Sequence, residues 1–214
     1  MADPAGGRRN GGTDAADVFP RRAFLATVAT ATAAVTLLTA GQTVPALRAV
    51  NVFGPRDGSG PQGLPVNKTA VSAEVVPGAT DPGWRLLVTA GRTTRSWSRP
   101  ELLALPQTEV RLPIACVEGW SASALWSGVP LRDLLDAVDA DPRADLQISS
   151  IQPRGAYRVV EMGPEFARHP DTLVALGLNG STLDLDHGFP ARMIAPNRPG
   201  VLQTKWLQRI EVLT

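Results

Sequence analysis

The 214 residues suffice for one domain of ordinary size with an N-terminal appendage, and a composition 43% apolar and 19% charged suits a globular chain with a sizeable core. With 21 basic and 20 acidic side chains the net charge is only +1, which excludes a general nucleic-acid binder and leaves any bound anion to a few placed cations. A single cysteine excludes an intramolecular disulfide; the two histidines, His169 and His187, are too few for a conventional zinc site, so any metal would take most of its ligands from a cofactor.

In chain order, residues 1–20 are polar and rich in Gly, Ala and Asp, and read as a disordered N-terminus. Arg21 and Arg22 then precede an uncharged run of Ala, Thr, Val and Leu, so residues 21–41 read as one hydrophobic helix. A pair of arginines ahead of such a run resembles a twin-arginine export signal, either cleaved or retained as a membrane anchor. As a helix, residues 23–40 would rise about 27 Å, just enough for a bilayer. A buried core helix is the alternative, and the lack of a polar face argues against it. The upstream arginines place the following domain outside the cytoplasm. Residues 42–65, with Pro45, Pro55, Pro61 and Pro65 among Gly and Ser, read as a linker, and the folded domain as residues 66–214.

Within that domain residues 84–91 have strand character and end at a glycine turn. Residues 98–105 form a short helix with an N-cap serine and an early proline. Residues 109–116 read as a second strand, and residues 130–138, with leucines at i, i+3 and i+4, as an amphipathic helix. Residues 146–152, 157–161, 192–195 and 203–213 are strand candidates; residues 171–176 fit a short helix or a strand, and Asn179-Gly180 marks a turn. The sum is a mixed α+β domain, β-sheets with peripheral short helices and no internal repeat, preceded by one hydrophobic N-terminal helix.

Cys116 lies in Pro113-Ile114-Ala115-Cys116-Val117-Glu118-Gly119-Trp120-Ser121, where an apolar strand gives way to a loop. A lone cysteine is more often a small buried hydrophobe than a ligand. Here the strand-end position and the carboxylate, glycine, indole and hydroxyl within five residues favour a ligand. A thiolate is a soft donor suited to metals that change oxidation state.

The run Cys116-Val117-Glu118-Gly119-Trp120-Ser121, followed by Trp126-Ser127-Gly128-Val129-Pro130-Leu131-Arg132-Asp133-Leu134-Leu135, resembles the molybdopterin-binding domain of the sulfite oxidase family, and within it the bacterial branch that includes the periplasmic methionine-sulfoxide reductase catalytic subunit. A second block follows in the right order: Asp186-His187-Gly188-Phe189-Pro190-Ala191-Arg192, Pro196-Asn197-Arg198-Pro199-Gly200 and Thr204-Lys205-Trp206. The similarity covers about residues 66–214. It implies a mixed-sheet fold holding a molybdenum–molybdopterin cofactor, with Cys116 as the protein's metal ligand. His187 and Arg192 fall on pterin- and phosphate-contacting positions. Gln203, Thr204 and Lys205 match the loop that wraps the cofactor, Asn67 the early contact segment, and Ser150 a strand-end hydroxyl contact.

The side-chain chemistry agrees, because a buried phosphate needs charge-assisted donors such as an arginine fork and a lysine point charge. The plain structural alternatives are a surface salt bridge for Arg192, a turn-capping role for His187 and a solvated edge position for Lys205. Glu118, two positions after the metal ligand, is placed either to relay protons at an open metal site or to hold the loop through backbone amides. Asp184 and Asp186 fit a turn before His187 better than a metal-binding pair.

The chain also departs from the family. Sulfite oxidases continue after the cysteine with Ala-Gly-Asn-Arg-Arg, whereas here Val-Glu-Gly-Trp-Ser lacks the basic groups for sulfite. The dimerisation domain that follows in those enzymes is not expected after Thr214, and Ala70 and Val71 stand where the reductase branch has Tyr-Glu. No C-x-x-C-H haem motif occurs, so a separate electron donor or acceptor is implied, a membrane cytochrome or a quinone-linked subunit. The reaction implied is two-electron oxygen-atom transfer, catalysed by an exported enzyme at the extracytoplasmic face of the membrane. The alternative is a non-catalytic, membrane-tethered binding or electron-transfer accessory domain on the same scaffold. A metal-free interaction domain requires both blocks to be coincidence. The enzyme reading demands that Cys116, His187, Arg192 and Lys205 converge on one cleft.

Overall fold

A computed structural model describes residues 21–40, 60–115 and 121–213. The chain divides into two compact units, Met1–Gly54 and Pro55–Thr214.

In the first unit, α1 (Arg21–Ala40) is a 20-residue helix. Its many threonines are tolerated by back-bonding of the kind seen at Thr30, whose hydroxyl donates to the Ala26 carbonyl at 2.9 Å. Among the described residues no helix is long and apolar enough to cross a membrane. A run of Ala and Thr has the length but not the hydropathy of a span.

The second unit contains, in order, α2 (Val76–Ala79), β1 (Arg85–Ala90), β2 (Thr93–Ser98), α3 (Arg99–Ala104), β3 (Thr108–Ala115), β4 (Ser121–Pro130) and α4 (Leu131–Asp136). There follow β5 (Leu146–Ser150), β6 (Val159–Met162), α5 (Pro164–Ala167), β7 (Leu173–Leu178), β8 (Ser181–Thr182), β9 (Arg192–Ile194) and β10 (Leu207–Val212). One sheet has the order β2-β1-β10-β5-β6, with β1 and β10 parallel and the other pairs antiparallel. The other runs β3-β4-β7-β8, with β9 also paired to β7, antiparallel throughout. This is the expected α+β class, sheets with a few short helices.

The local reasons are those of the sequence. Ser98 and Glu101 form a reciprocal capping box on α3, with Pro100 in its first turn. The leucines of α4 at 131, 134 and 135 enter one core with Leu86, Val88, Ile148, Leu207 and Ile210. A second core joins Leu112 and Ile114 of β3, Trp126 of β4, and Leu173, Ala175 and Leu178 of β7. The ambiguous segment around residue 173 is a strand. Every residue of β7 is buried, so both faces are apolar and the helix and strand periods look alike there.

Several segments depart from the sequence reading, three of them with consequences for the site or its sheet. β4 is the longest strand of its sheet, although Ser, Gly and Pro make it read as a loop; it works because Ala124, Trp126 and Gly128 alternate inward. At Gly128 a Cβ would meet the Val174 carbonyl oxygen at 2.2 Å, so only glycine lets β4 lie this close to β7. The closing strand is shorter than expected: residues 203–206 form a loop, and only Leu207–Val212 pair. Finally, residues 60–65 are not linker. Leu64 is 2% exposed and packs in the core of Leu112, Ile114 and Trp126.

Candidate functional site

The site is assembled around one glycine. Residues Leu185–His187 make a single 3-10 turn capped by the Asp184 carboxylate, which accepts from the Asp186 amide at 2.8 Å, and Gly188 ends it in the left-handed region at φ 117°. A Cβ on Gly188 would lie 3.1 Å from Lys205 Cα and 3.3 Å from Arg192 Cβ. The bare backbone therefore lets the histidine turn, β9 and the 203–206 loop meet. Backbone bonds fix that meeting: Met193 N to Thr204 O at 2.9 Å, Trp206 N to Gly188 O at 3.3 Å and Leu207 N to Ala191 O at 2.8 Å.

Between these segments lies a cavity of about 150 Å³, partly open to solvent. Asn67, His187, Arg192, Gln203, Thr204 and Lys205 all line it. Ser150 does not. Its hydroxyl donates to the Lys205 carbonyl at 2.8 Å, so it supports the loop from behind rather than facing the cavity. Cys116 and Glu118, with Trp120, lie outside the described residues; Ile114, at the end of β3 just before them, lines the cavity.

Arg192 is no surface salt bridge. Only 4% exposed, it starts β9, donates from Nη1 to the His187 carbonyl at 3.2 Å and lies 5.2 Å from the centre of the Trp126 ring. None of the ion pairs among the described residues involves it. Burial lowers its pKa to about 10, so it keeps its charge at neutral pH with no carboxylate partner among the described residues. His187, 1% exposed, makes a 2.6 Å bond from Nε2 to the Pro61 carbonyl. Burial lowers its pKa; the Pro61 bond opposes this, while the charges of Arg192 and Lys205 act with it. The neutral ring therefore carries its proton on Nε2 and turns an acceptor, Nδ1, the other way. Lys205 is not a solvated edge lysine either: Nζ donates to the carbonyls of Lys68 at 3.0 Å and Asp186 at 2.6 Å. Asp186 accepts from the Ala70 amide at 2.8 Å, so the two aspartates tie loops together, and no group of three His, Cys, Asp or Glu able to hold a metal occurs among the described residues.

The polar accounting marks the cavity as a place for a ligand. Arg192 Nε, Gln203 Oε1 and Thr204 Oγ1 are buried with no hydrogen-bond partner, as are Trp126 Nε1 and Arg198 Nε. Folded proteins rarely leave such groups unpaired, and three of the five belong to residues of one cavity wall. Among the described residues that cavity contains Arg192, Lys205 and Lys68 but no Asp or Glu. Its chemistry is that of a polar, anionic guest with both donors and acceptors.

Sequence reasoning missed Lys68, Gln152 and Tyr157, which also line the cavity, and Arg198, whose carbonyl accepts from Gln203 Nε2 of the cavity wall at 3.0 Å. Arg198 is buried, donates from Nη2 to the Glu161 carbonyl at 2.7 Å and lies over the Phe166 ring at 5.2 Å. Lys68 adjoins Asn67 in sequence, which was signal enough to include it. Gln152 and Tyr157, read from the sequence as strand ends, sit instead in the loop between β5 and β6, and nothing local singles them out.

Comparison with known proteins gives a concordant result. The family model described as an oxidoreductase molybdopterin binding domain matches residues 73–214. A putative protein-methionine-sulfoxide reductase subunit YedZ1 of Azospira oryzae is 36% identical over 117 residues, 55% of this chain and 44% of that protein. The protein-methionine-sulfoxide reductase catalytic subunit MsrP of Gluconobacter oxydans is 33% identical over 132 residues, 53% of this chain and 41% of its own length. An NADH nitrate reductase of Solanum lycopersicum is 39% identical over 109 residues, 44% of this chain and 12% of that enzyme. The chain thus spans less than half the length of the curated relatives it matches. Among solved structures, the sulfane dehydrogenase SoxCD of Paracoccus pantotrophus shares the fold at a TM-score of 0.55 and 22% identity, covering 61% of this chain and 38% of that one.

Proposed function

This chain belongs to the oxidoreductase molybdopterin-binding domain family, and from that premise we propose that it is an exported molybdenum–pterin oxidoreductase performing two-electron oxygen-atom transfer on a small or protein-bound substrate. The observation that carries the reading is Arg192, a buried guanidinium with no carboxylate partner among the described residues, on the wall of a cavity whose other unpaired buried groups are Gln203 Oε1 and Thr204 Oγ1. Such a wall fits a pterin with a terminal phosphate, which supplies the missing negative charge together with donors and acceptors.

Each residue then has a task. Arg192 and Lys205 neutralise the phosphate, and neutral His187 offers Nδ1 to a donor of the pterin. Gln203 and Thr204 complete their hydrogen bonds on the guest, and Asn67 meets it from the opposite segment. Ser150 holds the Lys205 loop in place from behind. Cys116 follows the strand end whose Ile114 lines the cavity, and its thiolate is the protein's ligand to the metal. Glu118 holds or passes the proton that accompanies oxygen transfer. When bound, the cofactor supplies a metal that exchanges two electrons, the part of the chemistry no side chain here can provide. Tuning and orientation are the protein's share.

Arg21 and Arg22 ahead of an uncharged helix support a twin-arginine signal, which suits a protein exported already folded around its cofactor. The absence of a C-x-x-C-H motif from the sequence supports electron exchange with a separate redox partner at the membrane. The test is to express the protein with cofactor supply and measure molybdenum per chain. Near-stoichiometric metal, lost in Cys116→Ser, is expected. A folded protein without molybdenum, or a Cys116→Ser variant with full metal and activity, overturns the reading.

A further inference from the structure

Residues 60–68 belong to neither sheet, yet they are tightly placed. The turn Pro61–Gly63 has Gln62 in the left-handed region at φ 57°, which a glutamine keeps only where its surroundings hold it. Here they hold it from four directions. Gln62 Nε2 donates to the carbonyls of Leu178 at 2.9 Å and Thr182 at 3.1 Å. Its Oε1 accepts from the Asp184 amide at 2.9 Å, and its carbonyl accepts from Asn179 Nδ2 at 2.8 Å. One residue earlier, the Pro61 carbonyl accepts the 2.6 Å bond from His187.

From this anchor the chain runs along the cavity, which Leu64, Pro65, Asn67 and Lys68 line. At the far end the Lys68 carbonyl is gripped by Lys205 Nζ at 3.0 Å, and Lys68 Nζ reaches Gln152 Oε1 at 2.6 Å. Both ends are therefore pinned by side chains, and two of the pins, His187 and Lys205, are walls of the same cavity. The segment's own backbone bonds, Gly63 N to Gly60 O and Leu64 N to Pro61 O, form a single turn that does not persist once its anchors let go, so both amides become exchangeable when the segment detaches.

We infer that residues 60–68 are a strap that detaches as a unit and closes the cavity over its occupant, with Gln62 as the positioning residue that latches it. The inference rests on the proposed function only for the occupant's identity, an anionic pterin cofactor. Detachment breaks a handful of side-chain bonds and exposes one large apolar side chain, Leu64, so it needs far less free energy than unfolding a sheet. An occupant that touches Asn67 and Lys68 gains those contacts only when the strap is closed, so binding and closure favour each other.

The test uses Gln62→Gly, which keeps the left-handed turn but removes the latch. Hydrogen exchange at the Gly63 and Leu64 amides is compared with that of β10 amides in the cofactor-free protein. Wild type should exchange at the strap by an opening separate from that of β10. The variant should do so at least tenfold faster, with β10 unchanged. In the loaded protein, molybdenum should be lost at least tenfold faster from the variant during gel filtration. Strap amides that exchange only with β10, or a variant with wild-type exchange and wild-type metal retention, overturn the strap. If neither protein takes up molybdenum, the proposed function fails, while the exchange measurement still decides whether the strap opens.

Discussion

Arg192→Met removes a buried positive charge while keeping most of the side chain's volume against Trp126. Burial brings the guanidinium's pKa down from its ordinary value to about 10. At about 1.4 kcal/mol for each pH unit between those values, the charged form costs the cofactor-free fold on the order of 3 kcal/mol. The bond to the His187 carbonyl and the indole contact offset roughly 1–2 kcal/mol of that. The variant should therefore be more stable than wild type without cofactor by about 1–2 kcal/mol, a rise in melting temperature of roughly 2–8 °C for a domain of this size. Below about pH 10 the residue is protonated in both folded and unfolded chains, so the gain should be the same at pH 6 and pH 8. With cofactor the order reverses, because the stabilisation by bound ligand disappears with the charge that held it. Thermal and urea melts of both proteins, with metal analysis of both, provide the assay. A variant that melts several degrees lower without cofactor and still carries full molybdenum would show that Arg192 is a structural strut, and the reasoning about the cavity would be wrong.

Three further outcomes follow from particular contacts. His187 has its folded pKa below the ordinary 6.5, so below that value the unfolded chain binds more protons, and stability falls as pH drops through the lower, folded value. His187→Gln should remove this component, seen as a smaller difference between urea midpoints at pH 7.5 and pH 5. Gly128→Ala drives a Cβ into the Val174 carbonyl, 2.2 Å away, and should cost about 3 kcal/mol in a melt. Ser98→Ala removes the cap of α3 and should cost about 1 kcal/mol, and the Glu101 carboxylate, held below its usual pKa chiefly by Ser98 and then by Arg85, should titrate higher by NMR.

The parts legible in the sequence are those where local chemistry and tertiary placement agree. Ser98, Pro100 and Glu101 announce α3 by themselves, and Asn179-Gly180 makes the β7–β8 turn with both residues in the left-handed region. The cavity wall was legible for another reason. Arg192, Gln203, Thr204 and Lys205 belong to a motif whose order along the chain survives, and all four meet because Gly188 admits them. What stayed hidden depends on distant partners. β4 is a strand because β3 and β7 flank it, not because Ser-Ala-Ser-Ala-Leu prefers to extend. The stretch around Gln62 looks like linker because its turn residues bond to groups more than a hundred positions away. Ser150 was near the right place, but its hydroxyl serves the Lys205 carbonyl, a distinction that no pattern of residue types expresses.

The position of β10 has a temporal consequence. It is the middle strand of its sheet, between β1 and β5, and the loop before it supplies one wall of the cavity. A nascent chain on the ribosome can pair β1 with β2 and β5 with β6, but these hairpins share no neighbour until residues 207–212 have emerged. The pocket then forms in one late, long-range step rather than piece by piece. A cargo that must be captured whole would find either no receptacle or a finished one.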